Sequence, residues 1–116
     1  MNIIIKTKNI ELTESLEKFV NEKVGKLEKF LHVDSQDVFV EIEKETNHHR
    51  KGDVFCAEII IQMPGTKLTA RSHGEDLMKA VMDAKDEMEI EIKKHKTKTI
   101  EAPRRKIRKE NEKENF

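Results

Sequence analysis

Apolar positions in this chain recur with two spacings, and the changes between them divide most of it into elements. In NIIIKTK, residues 2–8, Ile3 and Ile5 alternate with Ile4 in a β-branched run ended by Lys8 and Asn9. That pattern predicts a strand with one face more buried than the other. Thr13 suits a helix N-cap with the acidic Glu14 just inside the helix, and Leu16, Phe19, Val20, Val24, Leu27 and Leu31 then recur at helical spacing. The spacing predicts a helix from about Glu14 to about Leu31. Gly25 inside it costs about 1 kcal/mol relative to Ala.

After the turn-like HVDSQ, the period returns to two. DVFVEIEKE sets Val38, Val40 and Ile42 on one face and Phe39, Glu41 and Glu43 on the other. The polar, turn-rich TNHHRKGD separates this second strand from VFCAEIIIQM, where Phe55, Ala57, Ile59 and Ile61 alternate; Pro64-Gly65 breaks the third strand, and TKLTARSH returns as a fourth with Leu68, Ala70 and Ser72 on one face. From about Glu75 the helical period resumes in Leu77, Val81, Ala84, Met88 and Ile92, predicting a helix that ends near Lys96 to Lys98, with Pro103 opposing continuation. The order is β-α-β-β-β-α. It predicts an α+β fold: a four-stranded sheet with two helices packed on one face. Residues 1–98 form the expected domain, and 99–116, almost wholly polar, an expected flexible tail, basic and then acidic.

Composition adds little until charge is resolved by position. The 116 residues suffice for one core, and the formal net charge is zero. Residues 1–92 nevertheless carry thirteen Lys/Arg against nineteen Asp/Glu, whereas residues 93–116 carry ten against four. The stretch from Lys93 to Lys109 holds nine basic residues and one acid, Glu101, making it a local attractor for polyanions. No segment reaches the ~18 apolar residues of a membrane span, and the opening residues lack a secretory pattern, so a cytoplasmic chain without membrane contact is expected. Cys56 stands alone in an apolar run and reads as a buried small residue.

The helices also segregate charge. At about 100° per residue with Lys18 at zero, Lys29, Lys26 and Lys23 fall at about 20°, 80° and 140°, while Glu17, Glu28 and Glu14 fall at about 260° to 320°. In the second helix, with Leu77 at zero, Lys85, Lys96 and Lys93 share about 80° to 160° with Met78 and Met82, interrupted by Glu89, and Asp83, Glu87 and Glu91 lie at about 240° to 320°. Two lysine flanks on one sheet face would suit a phosphodiester backbone. Solvated flanks held by pairs such as Glu22 with Lys26 are the competing reading.

The residues also carry a family likeness. NIIIKTKNIELTESLEKFVNEKVGKLEKF resembles the first half of the ribosome-associated inhibitor and hibernation promoting factor family. AEIIIQMPGTKLTARSHGEDLMKAV is similar to its third strand, turn, fourth strand and acidic approach to the last helix, and KKHKTK to its basic helix exit. The likeness spans about residues 1–98. It implies the fold above and docking of the helical face in the decoding region of the small ribosomal subunit, where tRNA and messenger sites are blocked without chemistry. By position, Lys23, Lys26 and Lys29 match the family's basic first helix, and Lys93, Lys94, Lys96 and Lys98 its basic exit. With Lys18, Lys85, Arg104 and Arg105, they form the expected RNA-binding set. The chain departs from the family in Met78, where an aromatic is frequent, and in Glu87 and Ile90, where basic residues are frequent; Glu87 would repel phosphate. Long members continue into a second domain that pairs ribosomes, and this chain resembles the short type.

Other chemistry finds no support. His32, His48, His49, His73 and His95 lack metal-ligand spacing, and no phosphate loop or nucleophile elbow occurs with four Gly, so neither an enzyme nor a metal, cofactor or small-molecule substrate is expected. The partners expected are ribosomal RNA of the small subunit and the ribosome, with the chain monomeric away from it. Two other readings remain: a free-standing double-stranded RNA module, and a protein-interaction adaptor using the acidic surface.

Overall fold

The computed structural model describes residues 1–31, 37–46, 53–63 and 65–112, the side chains of 46, 53 and 97–112 lying outside that description. Four strands, β1 (Asn2–Lys8), β2 (Asp37–Thr46), β3 (Asp53–Met63) and β4 (Thr66–Gly74), form one sheet in sequence order. β1 and β2 run parallel, joined by a crossover that contains α1 (Glu14–Val24) and a 3-10 helix over Gly25–Phe30; the remaining neighbours are antiparallel. The last element is α2 (Leu77–Glu112). This is the α+β architecture that the two periods predict.

The buried halves of the strands follow the alternation. Val38, Val40 and Ile42 on β2, Ala57, Ile59 and Ile61 on β3, and Leu68 and Ala70 on β4 share one face. They form one core with Leu16, Val20, Val24 and Leu27 from the first helical segment and Ala80, Val81, Ala84, Met88 and Ile92 from α2. Ile3 and Ile5 pack at its margin, while Ile4 on the opposite face is exposed. Between β3 and β4, Met63 pairs with Thr66, and Gly65 sits at φ 79°, the conformation that the third residue of a type II turn requires.

The helix ends are set locally. Thr13 Oγ1 accepts the Leu16 amide at 3.1 Å, with Glu14 and Glu17 in the first turn. Thr13→Ala is expected to lower stability by about 1 kcal/mol, read as a fall in the chemical-denaturation midpoint. At α2, Asp76 Oδ1 accepts the amides of Met78 and Lys79 at 3.0 and 3.3 Å, so the helix begins one residue after this cap.

Two expectations are corrected. The helix predicted from Glu14 to Leu31 is α-helical only to Val24, and the 3-10 winding takes over at Gly25. Apolar residues at Val24, Leu27 and Phe30 are three apart, a spacing that both windings satisfy but that a 3-10 helix stacks directly. Gly25 itself has φ −58°, and a Cβ built there meets nothing within 4 Å, so close packing does not explain it. Gly25→Ala is accordingly expected to stabilise the fold by about 0.5–1 kcal/mol, visible as a raised Tm. Finally, α2 does not stop near Lys96 to Lys98: its backbone stays helical through Pro103 to Glu112. Proline removes one amide donor there, and the Lys, Glu, Ala and Arg residues around it favour helical backbone.

Candidate nucleic-acid interface

The change of winding at Gly25 alters where the lysines of the first helical segment lie. On an α-helical wheel, Lys29 would fall beside Lys18. At about 120° per residue from Gly25 onward, Lys26 and Lys29 instead share one azimuth, within about 20° of Lys23. Lys23, Lys26 and Lys29 therefore form one ridge, and Lys18 stands apart on the outward side of α1. Lys18, Lys26 and Lys29 are exposed and form no ion pair among the described residues. Glu22 lies 4.0 Å from Lys23 Nζ, so the expected pairing of Glu22 with Lys26 is replaced by one with its neighbour.

Two aromatic rings organise this ridge. Lys23 Nζ sits 5.9 Å from the centroid of Phe19. Phe30, half-buried at the end of the 3-10 helix, has Lys29 Nζ at 5.2 Å from its centroid and Lys93 Nζ of α2 at 5.1 Å. Cations at this range are attracted by the ring quadrupole. A single ring thus brings the basic end of the first helical segment against the basic flank of α2. Sequence reasoning missed Phe19 and Phe30; an aromatic one or four residues from a lysine was the available signal, whereas the meeting of Phe30 with Lys93 depends on the topology.

The cations of α2 are not equivalent. Lys93 is held by Glu89 at 3.1 Å while remaining exposed over Phe30. Lys85 has a side chain only 11% exposed, with its Nζ 2.8 Å from Asp86 and 3.9 Å from Glu89, so its charge is largely compensated within the helix. Lys94 pairs with Glu91 at 3.9 Å and projects about 100° round the helix from Lys93, towards the acidic flank. Lys96 is half-buried on the side of Lys93. The side chains of Lys98, Arg104 and Arg105 lie outside the described residues.

Glu87, expected to weaken a phosphate grip, is exposed about 120° round α2 from Lys93, on the flank with Asp83 and Glu91. Its charge is therefore turned away from the Phe30 junction. Met78 is 52% exposed on the Lys93 side, leaving its thioether open to contact, and Ile90 is exposed between the two flanks. Cys56 is buried, and burial pushes its thiol above the ordinary range against the opposing effect of the Arg71 guanidinium, as suits an inert thiol. His73 and His95 belong to no group of three metal-ligating side chains among the described residues. No helix there is long and apolar enough to cross a membrane.

A four-stranded sheet backed by two helices, with their lysine flanks joined at one ring, defines a small α+β domain with a cationic helical edge. Residues 3–100 match the family described as Sigma 54 modulation protein / S30EA ribosomal protein, and the chain belongs to that family. It is 35% identical over 99 residues to the ribosome hibernation promotion factor of Bacillus subtilis (strain 168), an alignment covering 84% of this chain and 50% of that protein. The chain spans about half the length of several such relatives, but an alignment at 27% identity covers 96% of the ribosome hibernation promoting factor of Escherichia coli (strain K12). Among solved structures, the N-terminal domain of Thermus thermophilus Protein Y aligns over 82% of this chain and 99% of its own, with TM-score 0.63 and 22% identity. A ribosomal subunit interface protein from Coxiella burnetii aligns over 84% of this chain and 99% of its own, with TM-score 0.68 and 15% identity. These two structures support the likeness of fold.

Proposed function

We propose that this chain is a non-enzymatic ribosome hibernation factor that binds ribosomal RNA of the small subunit. In this reading it occupies the decoding region and blocks the tRNA and messenger RNA sites. Residues 1–98 are the binding unit, and 99–116 add a basic and then an acidic extension. The convergence of Lys29 and Lys93 on Phe30 carries the reading, because it makes one cationic edge from two helices. Family membership and the hibernation-factor names of the relatives support it. The ridge Lys23, Lys26 and Lys29 with Lys93 is the primary phosphate contact; Lys18, Lys96, Lys98, Arg104 and Arg105 extend it. Lys85 and Lys94 contribute less, because Lys85 is nearly buried against Asp86 and Lys94 projects towards the acidic flank of α2. Inhibition follows from occupancy alone, so no bond is made or broken, and the chain acts in the cytoplasm as a monomer until it meets a ribosome.

Cosedimentation with purified small subunits in a salt series tests this. With about six phosphate contacts, affinity is expected to fall roughly a thousandfold between about 50 and 200 mM salt. Failure to cosediment at low salt would overturn the reading. Stronger binding to an isolated RNA duplex than to subunits would favour the free-standing duplex-RNA alternative instead.

A further inference from the structure

The sheet has a second surface, facing away from the helices. Side chains alternate along each strand, and the register sets those of the open face in rows. One row holds Ile4, Phe39, Ile60 and Thr69, and the next Lys6, Glu41, Glu58 and Arg71. Beyond these come Lys8, Glu43, Cys56 and His73, and on the other side Asn2, Asp37, Gln62 and Lys67. Ile4 is 45% exposed, Phe39 is 43% exposed and Ile60 is half-buried, so the face carries an apolar strip that the core does not use.

The charges around the strip are sorted by strand. The two central strands present Asp37, Glu41, Glu43, Glu45 and Glu58, whereas Lys6, Lys8, Lys67 and Arg71 stand on the edge strands. Lys8 is already 3.8 Å from Glu43, and the Arg71 guanidinium reaches inward from β4 to the Cys56 thiol. The middle of the face is therefore apolar at Phe39 and Ile60 with the two carboxylates Glu41 and Glu58 side by side in the next row, which disfavours a nucleic acid. A second copy stacked face to face fits poorly as well. With the two-fold axis along the strands, Glu41 would meet the Glu58 of the other copy. With the axis along the Phe39 row, Asp37 would meet Glu41 and Lys67 would meet Arg71, and like charges in opposition are unfavourable.

We propose that this open face docks an extended, lysine- or arginine-rich segment of a partner protein. The segment seats one apolar side chain over Phe39 and Ile60, and basic side chains two and four residues further on over Glu41 with Glu58 and over Glu43. The spacing is matched, because rows of one sheet face and alternate side chains of an extended peptide both repeat at about 6.6–6.8 Å. Aromatic and aliphatic anchoring with a charged surround is a frequent arrangement in protein recognition. The proposal is independent of the RNA reading, since the two surfaces lie on opposite sides of the fold and one chain can use both.

The test is an amide chemical-shift titration of the full chain with a threonine-rich peptide of about nine residues carrying one Ile followed by Arg two and four residues later. Saturable shifts centred on Ile4, Phe39, Glu41, Glu58 and Ile60 are expected, and a peptide with Glu in place of Arg should produce none. Glu41→Gln with Glu58→Gln should weaken binding about fivefold, and Phe39→Ser about tenfold. Asp83→Asn with Glu87→Gln, which removes equal charge from the far flank of α2, should change it less than about twofold. Shifts centred on α2, equal loss with both charge-removing pairs, or no saturable shift at about 1 mM peptide would overturn the proposal.

Discussion

Replacing Lys23, Lys26, Lys29 and Lys93 together by Glu is expected to weaken binding to small ribosomal subunits by about a thousandfold at near-physiological salt. Each phosphate contact contributes about one unit of slope between log affinity and log salt, which corresponds to roughly fivefold in affinity at such salt, and four are removed. The salt slope should accordingly fall by about three to four. Repulsion by the new carboxylates adds to the loss. The chain should remain folded, because three of these side chains are exposed at the surface and the fourth, Lys23, is only partly covered. Their ring contacts contribute about 0.5–1 kcal/mol each at exposed sites. Glu in place of Lys85 and Lys94 should weaken binding far less, since Lys85 is nearly buried and Lys94 lies round α2 towards the acidic flank, away from the Phe30 junction. Equal losses for the two variants would show that general charge, and not the edge at Phe30, sets affinity.

Leu27→Ala is expected to cost about 2–5 kcal/mol of stability, the largest effect of any single truncation in the 3-10 segment. Leu27 is fully buried and continues the line of Val20 and Val24 into the core, so its loss leaves a cavity beneath the turn that carries Lys26 and Lys29. A domain of this size has about 5–15 kcal/mol in all, so the variant should stay folded at room temperature with Tm lowered by more than about 10 °C. A loss under about 1 kcal/mol would mean that the 3-10 helix is not anchored through this side chain. RNA affinity should also weaken modestly if the ridge loosens with its anchor.

Much of the architecture is legible in the residues because the core is regular. Val38, Val40 and Ile42 alternate without interruption, and Val81, Ala84, Met88 and Ile92 keep the helical period, so burial and sequence pattern coincide. The 3-10 segment is not legible in the same way, since Val24, Leu27 and Phe30 satisfy both windings, and that ambiguity displaced Lys29 on the wheel. Continuation of α2 through Pro103 runs against a local rule that the flanking helix formers outweigh. Of the expected RNA-binding set, the sequence identified the lysine types and their flanks but not their states. Lys85 is nearly buried with its ammonium beside Asp86 and Glu89, which helical spacing alone does not reveal, and the convergence at Phe30 joins residues far apart in sequence. The open sheet face was visible as the alternate positions Phe39, Glu41 and Glu43. Its apolar row needed the register, which brings Ile4 and Ile60 beside Phe39.

The helical edge joined at Phe30 is expected to face ribosomal RNA. A density map of the purified chain bound to small subunits tests it directly. Density is expected in the decoding region, with Lys23, Lys26, Lys29 and Lys93 against the RNA backbone and the open sheet face turned away from it. Density with the sheet face on the RNA, or with the chain bound outside the decoding region, would contradict it.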